Sequence, residues 1–206
     1  MNFEKLLLPA VCAILSVGAV GAEPVQPVDD CCAVAMDTGP LSPDSLYQTE
    51  VSFTNDRDEP FDLVALRGRP VVLTMFFASC SHACPMLVTV MQQIRAALPA
   101  DLANPPVFVL VSFDVERDSP TALATYRDSR RLDDQWELLH GDNDAVRELA
   151  ALLGIKYQQE EGGSFSHSNV ISILNAEGEV VHQRMGLMGS TDEAERVLRQ
   201  VAGASK

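Results

Sequence analysis

Residues 71–77 (VVLTMFF) and 107–113 (VFVLVSF) are two β-rich runs without a charge and without polar–apolar alternation. A strand solvated on one face alternates. Runs of this kind bury both faces, as the inner strands of a parallel sheet do. Between them Leu87, Val90, Met91, Ile94, Ala97 and Leu98 recur at helical spacing and are followed by Pro99. A strand, a helix and a second strand in that order predict a parallel pair joined by a right-handed crossover.

The rest of the chain fits around that unit. Ser119 and Pro120 supply an N-cap and a first helical residue for a helix to about Arg130. A short strand is expected at 136–139. Val146, Leu149, Ala150 and Leu153 then form a helical stripe that Gly154 ends. Residues 169–174 and 179–182 flank NAEG, a hairpin signal. Ser190 and Glu193 suggest a capping box for a last helix carrying Ala194, Val197, Leu198 and Val201. With 136–154 set aside as an inserted strand–helix segment, the order is β-α-β, α, β-β, α. That is a thioredoxin-like α/β fold, a central mixed sheet flanked by helices, with an N-terminal extension.

The extension reads as two parts. Residues 6–22 carry no charge, include Pro9 and end in Val20, Gly21 and Ala22. A run so short, closed by small residues, is expected to be a secretory leader, with an uncleaved anchor as its variant. Residues 23–45 are proline-rich and aperiodic, and read as a tether that holds Cys31 and Cys32, with Met36 after them. Without the leader about 180 residues remain, enough for one well-cored domain, placed at 46–206, and too few for two. A net charge of −14 argues against a nucleic-acid partner, which needs a basic face. Export makes disulfides admissible.

Cys80 and Cys84 stand in FFASCSHACPM, residues 76–86, between the first buried strand and the helix after it. Functional groups of open α/β sheets collect at that edge. Pro85 suits a first helical position, which makes Cys84 the expected N-cap and places its sulfur at the positive end of the helix, favouring thiolate. The pair reads as a redox couple, as part of a metal site or as two packed thiols. The loop can close to a disulfide if the α-carbons come within about 4.4–6.8 Å. Open, it can splay both sulfurs around an ion. Thioredoxins carry a cis-proline before their third core strand. Here the stretch is GGSFSHSNVISIL, with no proline and with His167 just ahead of strand 169–174. In this topology His167 should approach the 80–84 loop. Two thiolates and an imidazole make a soft site suited to Cu(I) and tolerant of Cu(II).

Four stretches, LRGRPVVLTMFFASC, the Cys80-x-x-x-Cys84-Pro85 motif, VLVSFDVERDSPTAL and HSNVISILNAEGEVV, resemble the Sco/SenC family of copper chaperones from about Leu46 to Ala202. The resemblance implies a thioredoxin-like domain that holds one copper through Cys80, Cys84 and His167. It implies export, to the periplasm or anchored at the periplasmic face of the inner membrane. It also implies a copper-accepting partner such as a cytochrome oxidase subunit, or other thiol-disulfide or copper-carrier proteins. Some family members act as thiol-disulfide reductases, so a dedicated oxidoreductase working through Cys80 and Cys84 is the alternative.

The chain departs from the family at Ser81 and Val115, where proline is common. Asp114 matches the family's aspartate at the end of the second strand, as a residue behind the ligands or a docking residue. His82 lies inside the motif loop, and His140 and His182 at strand ends. A peroxiredoxin would carry threonine three residues before its reactive cysteine, where Phe77 stands. A structural zinc site would need a fourth ligand.

Overall fold

The structure, a computed structural model, describes residues 39–203. The expected leader at 1–22, with Cys12, and Cys31, Cys32 and Met36 of the expected tether lie outside the described residues. Among the described residues no helix is long and apolar enough to cross a membrane.

Both unalternating runs became strands because neither offers a face that water could wet. In chain order the strands are β1 (Ser52–Asn55), β2 (Pro60–Asp62), β3 (Val71–Phe76), β4 (Val107–Ser112), β5 (Trp136–His140), β6 (Tyr157–Gln159), β7 (Phe165–His167), β8 (Val170–Leu174) and β9 (Val180–Met185). The helices are α1 (Ala83–Ala96), α2 (Pro120–Arg130), α3 (Asn143–Leu152) and α4 (Asp192–Ala202). Seven strands form one sheet in the order β2-β1-β5-β4-β3-β8-β9. β3 and β4 pair in parallel, and β8 returns antiparallel along β3. Every residue of β3 and β4 is buried. The polar side chains among them are satisfied: the Thr74 hydroxyl donates to the Val170 carbonyl at 2.6 Å, linking β3 to β8.

Residues 136–154, set aside as an insertion, are built into the sheet. β5 lies parallel to β4 and buries Trp136, Leu138 and Leu139, with the indole stacked on Phe108 at 4.9 Å between ring centres. The segment widens the sheet and carries β1 on its far side, antiparallel. Patterning did not reveal the β1–β2 hairpin. Its strands are four and three residues long and mostly polar, so no period could show.

The α2 start is as expected, Ser119 Oγ accepting from the Ala122 N–H at 3.3 Å ahead of Pro120. Such a cap contributes about 1 kcal/mol. The α4 start is shifted by one residue. Thr191 is the N-cap, and its hydroxyl donates to Glu195 at 2.6 Å, while Glu193 pairs with Arg196 instead of closing a box with Ser190.

The end of the tether lies against the domain. Arg67 Nη1 donates to the Gly39 carbonyl at 2.8 Å, and Ser45 bridges to Glu179 beside the β8–β9 turn. Gly178 in that turn has φ +84°, and a Cβ there would stand 2.6 Å from the Tyr47 ring. Both the backbone and the close ring therefore require glycine.

Candidate metal centre

Helix α1 begins at Ala83 with His82 as its N-cap, so Cys84 is the second helical residue and not the cap. Proline is tolerated in a first turn because N–H groups there have no intrahelical partner, and Pro85 is the third helical residue, two places further in than expected. The consequence is chemical. The Cys84 N–H donates to Cys80 Sγ at 3.3 Å, so the sulfur at the helix start is that of Cys80.

The two thiols therefore differ in the opposite sense to the expectation. Burial works against the Cys80 thiolate, but the Cys84 N–H and thiol and the N–H groups of His82 and Ala83 outweigh it, holding Cys80 below the usual thiol range. Cys84 is fully buried, and burial pushes its thiol well above that range. Behind the pair, the Asp118 carboxylate accepts from the Ala78 N–H at 2.7 Å and from the Ser112 hydroxyl at 2.5 Å, tying the cysteine loop to the end of β4.

His167 comes from a hairpin that patterning missed. It closes β7, which among the described residues pairs only with β6 in a separate two-stranded sheet, Tyr157 opposite His167. Its Nδ1 lies 3.2 Å from the Ser168 carbonyl. A carbonyl can only accept, so Nδ1 holds the proton and Nε2 presents a lone pair. That Nε2 is 3.8 Å from Cys84 Sγ. Burial lowers the His167 pKa, opposed in part by the Ser168 carbonyl, so the ring is neutral at neutral pH, as a ligand must be. The Phe113 ring, 5.0 Å away between centres, and the Phe77 ring at 6.2 Å fix its plane.

Asp114 and Arg117 hold that hairpin in place. The Asp114 side chain is 1% exposed and takes the Arg117 Nε at 2.5 Å. Arg117 Nη2 in turn donates to the Gly163 carbonyl, in the turn between β6 and β7. Gly163 has φ +78°, the left-handed region that favours glycine, and a Cβ there would stand 3.0 Å from Arg117 Nη1. Asp114 thus stands behind the ligands, linked through Arg117 to the hairpin that carries His167. Arg117 was not legible as functional, because a lone arginine in a loop gives no periodic signal.

Of the four histidines only His167 joins the cysteines. His82 is exposed, with Nδ1 2.8 Å from Ser81 Oγ. His140 ends β5 beside Thr54, and His182 lies in β9. The donor atoms of Cys80, Cys84 and His167 all lie within 4.8 Å of one another. First-row ions take thiolate at about 2.3 Å and imidazole at about 2.0–2.1 Å, so donors around one ion stand at most about 4.6 Å apart. The cluster fits an ion after a small closing movement.

The asymmetry of the thiols makes a checkable prediction. Iodoacetamide at neutral pH should modify Cys80 well before Cys84, with the Cys80 rate levelling off below the pH usual for a free thiol. Peptide mapping of partly alkylated, metal-free protein measures this. Faster labelling of Cys84 would overturn the assignment.

A seven-stranded sheet with a cysteine pair at a strand–helix junction, faced by a neutral imidazole, defines a thioredoxin-like domain with a Cys–Cys–His cluster. The chain belongs to the SCO1/SenC family, whose model matches residues 40–204. A curated Stutzerimonas stutzeri protein, provisionally named as copper-binding, is 28% identical over 157 residues, covering 74% of this chain and 75% of that protein. The structure of Bradyrhizobium japonicum ScoI with copper bound superposes with a TM-score of 0.62 at 20% identity, over 73% of this chain and 96% of that one. Arabidopsis thaliana ScoI with copper bound gives 0.65 at 19% identity, over 73% and 94%. At these identities the structural likeness speaks for the fold.

Proposed function

We propose that this protein binds one copper ion through Cys80, Cys84 and His167 and serves the assembly of a copper site in a client protein. It delivers the ion or reduces the client's cysteines, the client being a copper-accepting protein such as a cytochrome oxidase subunit. The observation that carries the reading is the convergence of three soft or borderline donors within 4.8 Å at the active-site edge of the sheet. Family membership and the copper-bound relatives support it. The protein acts outside the cytoplasm, in the periplasm or at its membrane face, on the strength of the leader-like residues 6–22.

One observation favours a second reading, a dedicated thiol-disulfide oxidoreductase. An accessible, activated Cys80 beside a buried, protonated Cys84 is the arrangement of an attacking and a resolving thiol.

Oxidation tests the first reading. A Cys80–Cys84 disulfide consumes both thiolates, so oxidised protein should take up no copper at this site until reduced. Metal analysis after dialysis, run beside thiol titration with Cys31 and Cys32 replaced by serine, should show both quantities rising together. Copper held at the site by protein with no free motif thiol would refute the model.

A further inference from the structure

Cys80 lines a cleft of about 550 Å³ whose opposite wall is β7 and the turn before it. β6 and β7 form a sheet of two strands, so among the described residues one edge of β7 has no strand beside it. The ladder decides which groups that edge presents. In an antiparallel pair, alternate residues exchange backbone hydrogen bonds with their opposite number, and those between turn outward. The Glu160 N–H donates to the Ser164 carbonyl and the Ser168 N–H to the Lys156 carbonyl, both at 2.8 Å. Gln158 stands opposite Ser166 in the same register. Ser164, Ser166 and Ser168 therefore face β6, and Phe165 and His167 turn their N–H and C=O groups away from it. Phe165 and His167 line the cleft and no residue of β6 does, so the outward edge looks into it.

We propose that this cleft receives an extended, cysteine-bearing segment of a client protein, which adds a third strand beside β7 and brings its sulfur to Cys80. An unpaired strand edge takes an extended backbone, whose hydrogen bonds it completes. The group facing that edge across the cleft is a partly exposed thiol, which selects a sulfur-bearing occupant. The wall suits a backbone as well. In a chain of net charge −14 no carboxylate among the described residues lines this cleft, and Ser79, Ser81, Ser164 and Ser166 keep it small and polar. This inference rests on the reading that Cys80 exchanges with a client's sulfur, and it needs no copper.

The test uses metal-free full-length protein in which Cys12, Cys31, Cys32 and Cys84 are serine, leaving Cys80 as the single thiol. The probe is a short synthetic peptide whose central cysteine is joined to thionitrobenzoate. The Cys80 thiolate attacks the peptide sulfur, the peptide–thionitrobenzoate bond breaks, and thionitrobenzoate leaves as a coloured anion with the electron pair. One disulfide replaces another, so no further oxidant is needed. N-methylation of alternate peptide residues should slow the reaction about tenfold in one register and change it less than about twofold in the other. In the trapped complex, amide exchange at Phe165 and His167 should slow by about tenfold or more. Equal rates for all N-methylated peptides, with unchanged exchange at both amides, would overturn the proposal. So would a glutathione–thionitrobenzoate disulfide that reacts as fast as the peptide. Protection of the same amides that grows with protein concentration alone would make a second copy the occupant and overturn it too. Copper uptake by the unmodified protein is measured separately, so failure here leaves the proposed function standing.

Discussion

Cys84→Ser should abolish tight copper binding, and Cys80→Ser should do the same. A hydroxyl is a poor ligand for a soft ion, and each change leaves one thiolate and one imidazole. Even the loss of a group behind a ligand costs about 10–100-fold in metal affinity, so the loss of a thiolate ligand should exceed that range. Competition against a chromophoric Cu(I) chelator under reducing conditions measures the effect. The two variants guard each other. Cys84 is fully buried, and a hydroxyl in place of its sulfur loses packing and is costlier to bury, by about 1–3 kcal/mol, a sizeable share of the roughly 5–15 kcal/mol that holds a domain together. Cys80 is partly exposed and packs only against the margin of the core, so its replacement disturbs the core less. Thermal unfolding should shift for Cys84→Ser and less for Cys80→Ser. Undiminished copper in either variant would end the three-donor model.

His167→Ala should separate the two readings of the site. Nε2 is the only nitrogen donor in the cluster, 3.8 Å from Cys84 Sγ. Its loss should weaken copper binding by about 10–100-fold or more. Thiol exchange asks for other things, namely thiolate character and access. Both reside at Cys80, whose sulfur is held by N–H groups of the α1 start that this substitution does not touch. The variant should therefore reduce a partner disulfide in vitro at close to the parent rate. In cells the readings part. A metallochaperone would lose its client's copper centre with this variant, whereas a dedicated reductase would still support it. Full support in cells by protein that carries no copper would refute the chaperone reading and favour the oxidoreductase.

The amino-acid sequence by itself determined the inner strands, the helix between them and the place of the cysteines. Residues 71–77 and 107–113 cannot be wetted on either face, so burial assigned them without knowledge of their neighbours. The motif loop then had to fall at the strand–helix junction, where chemistry collects in such sheets. His167 could be chosen over His82, His140 and His182 because the element order carried its segment to the same edge. Tertiary structure alone decided the rest. The β6–β7 hairpin has strands of three residues, too short for any period to emerge, and its position depends on an arginine that reaches Gly163 from 46 residues away. Which cysteine is activated turned on a single helical position: with His82 as the cap, the Cys84 N–H serves Cys80, and Cys84 sinks into the core. Spacing along the chain is the same for both cysteines. Burial and the direction of N–H groups are not, and those are properties of the packed fold.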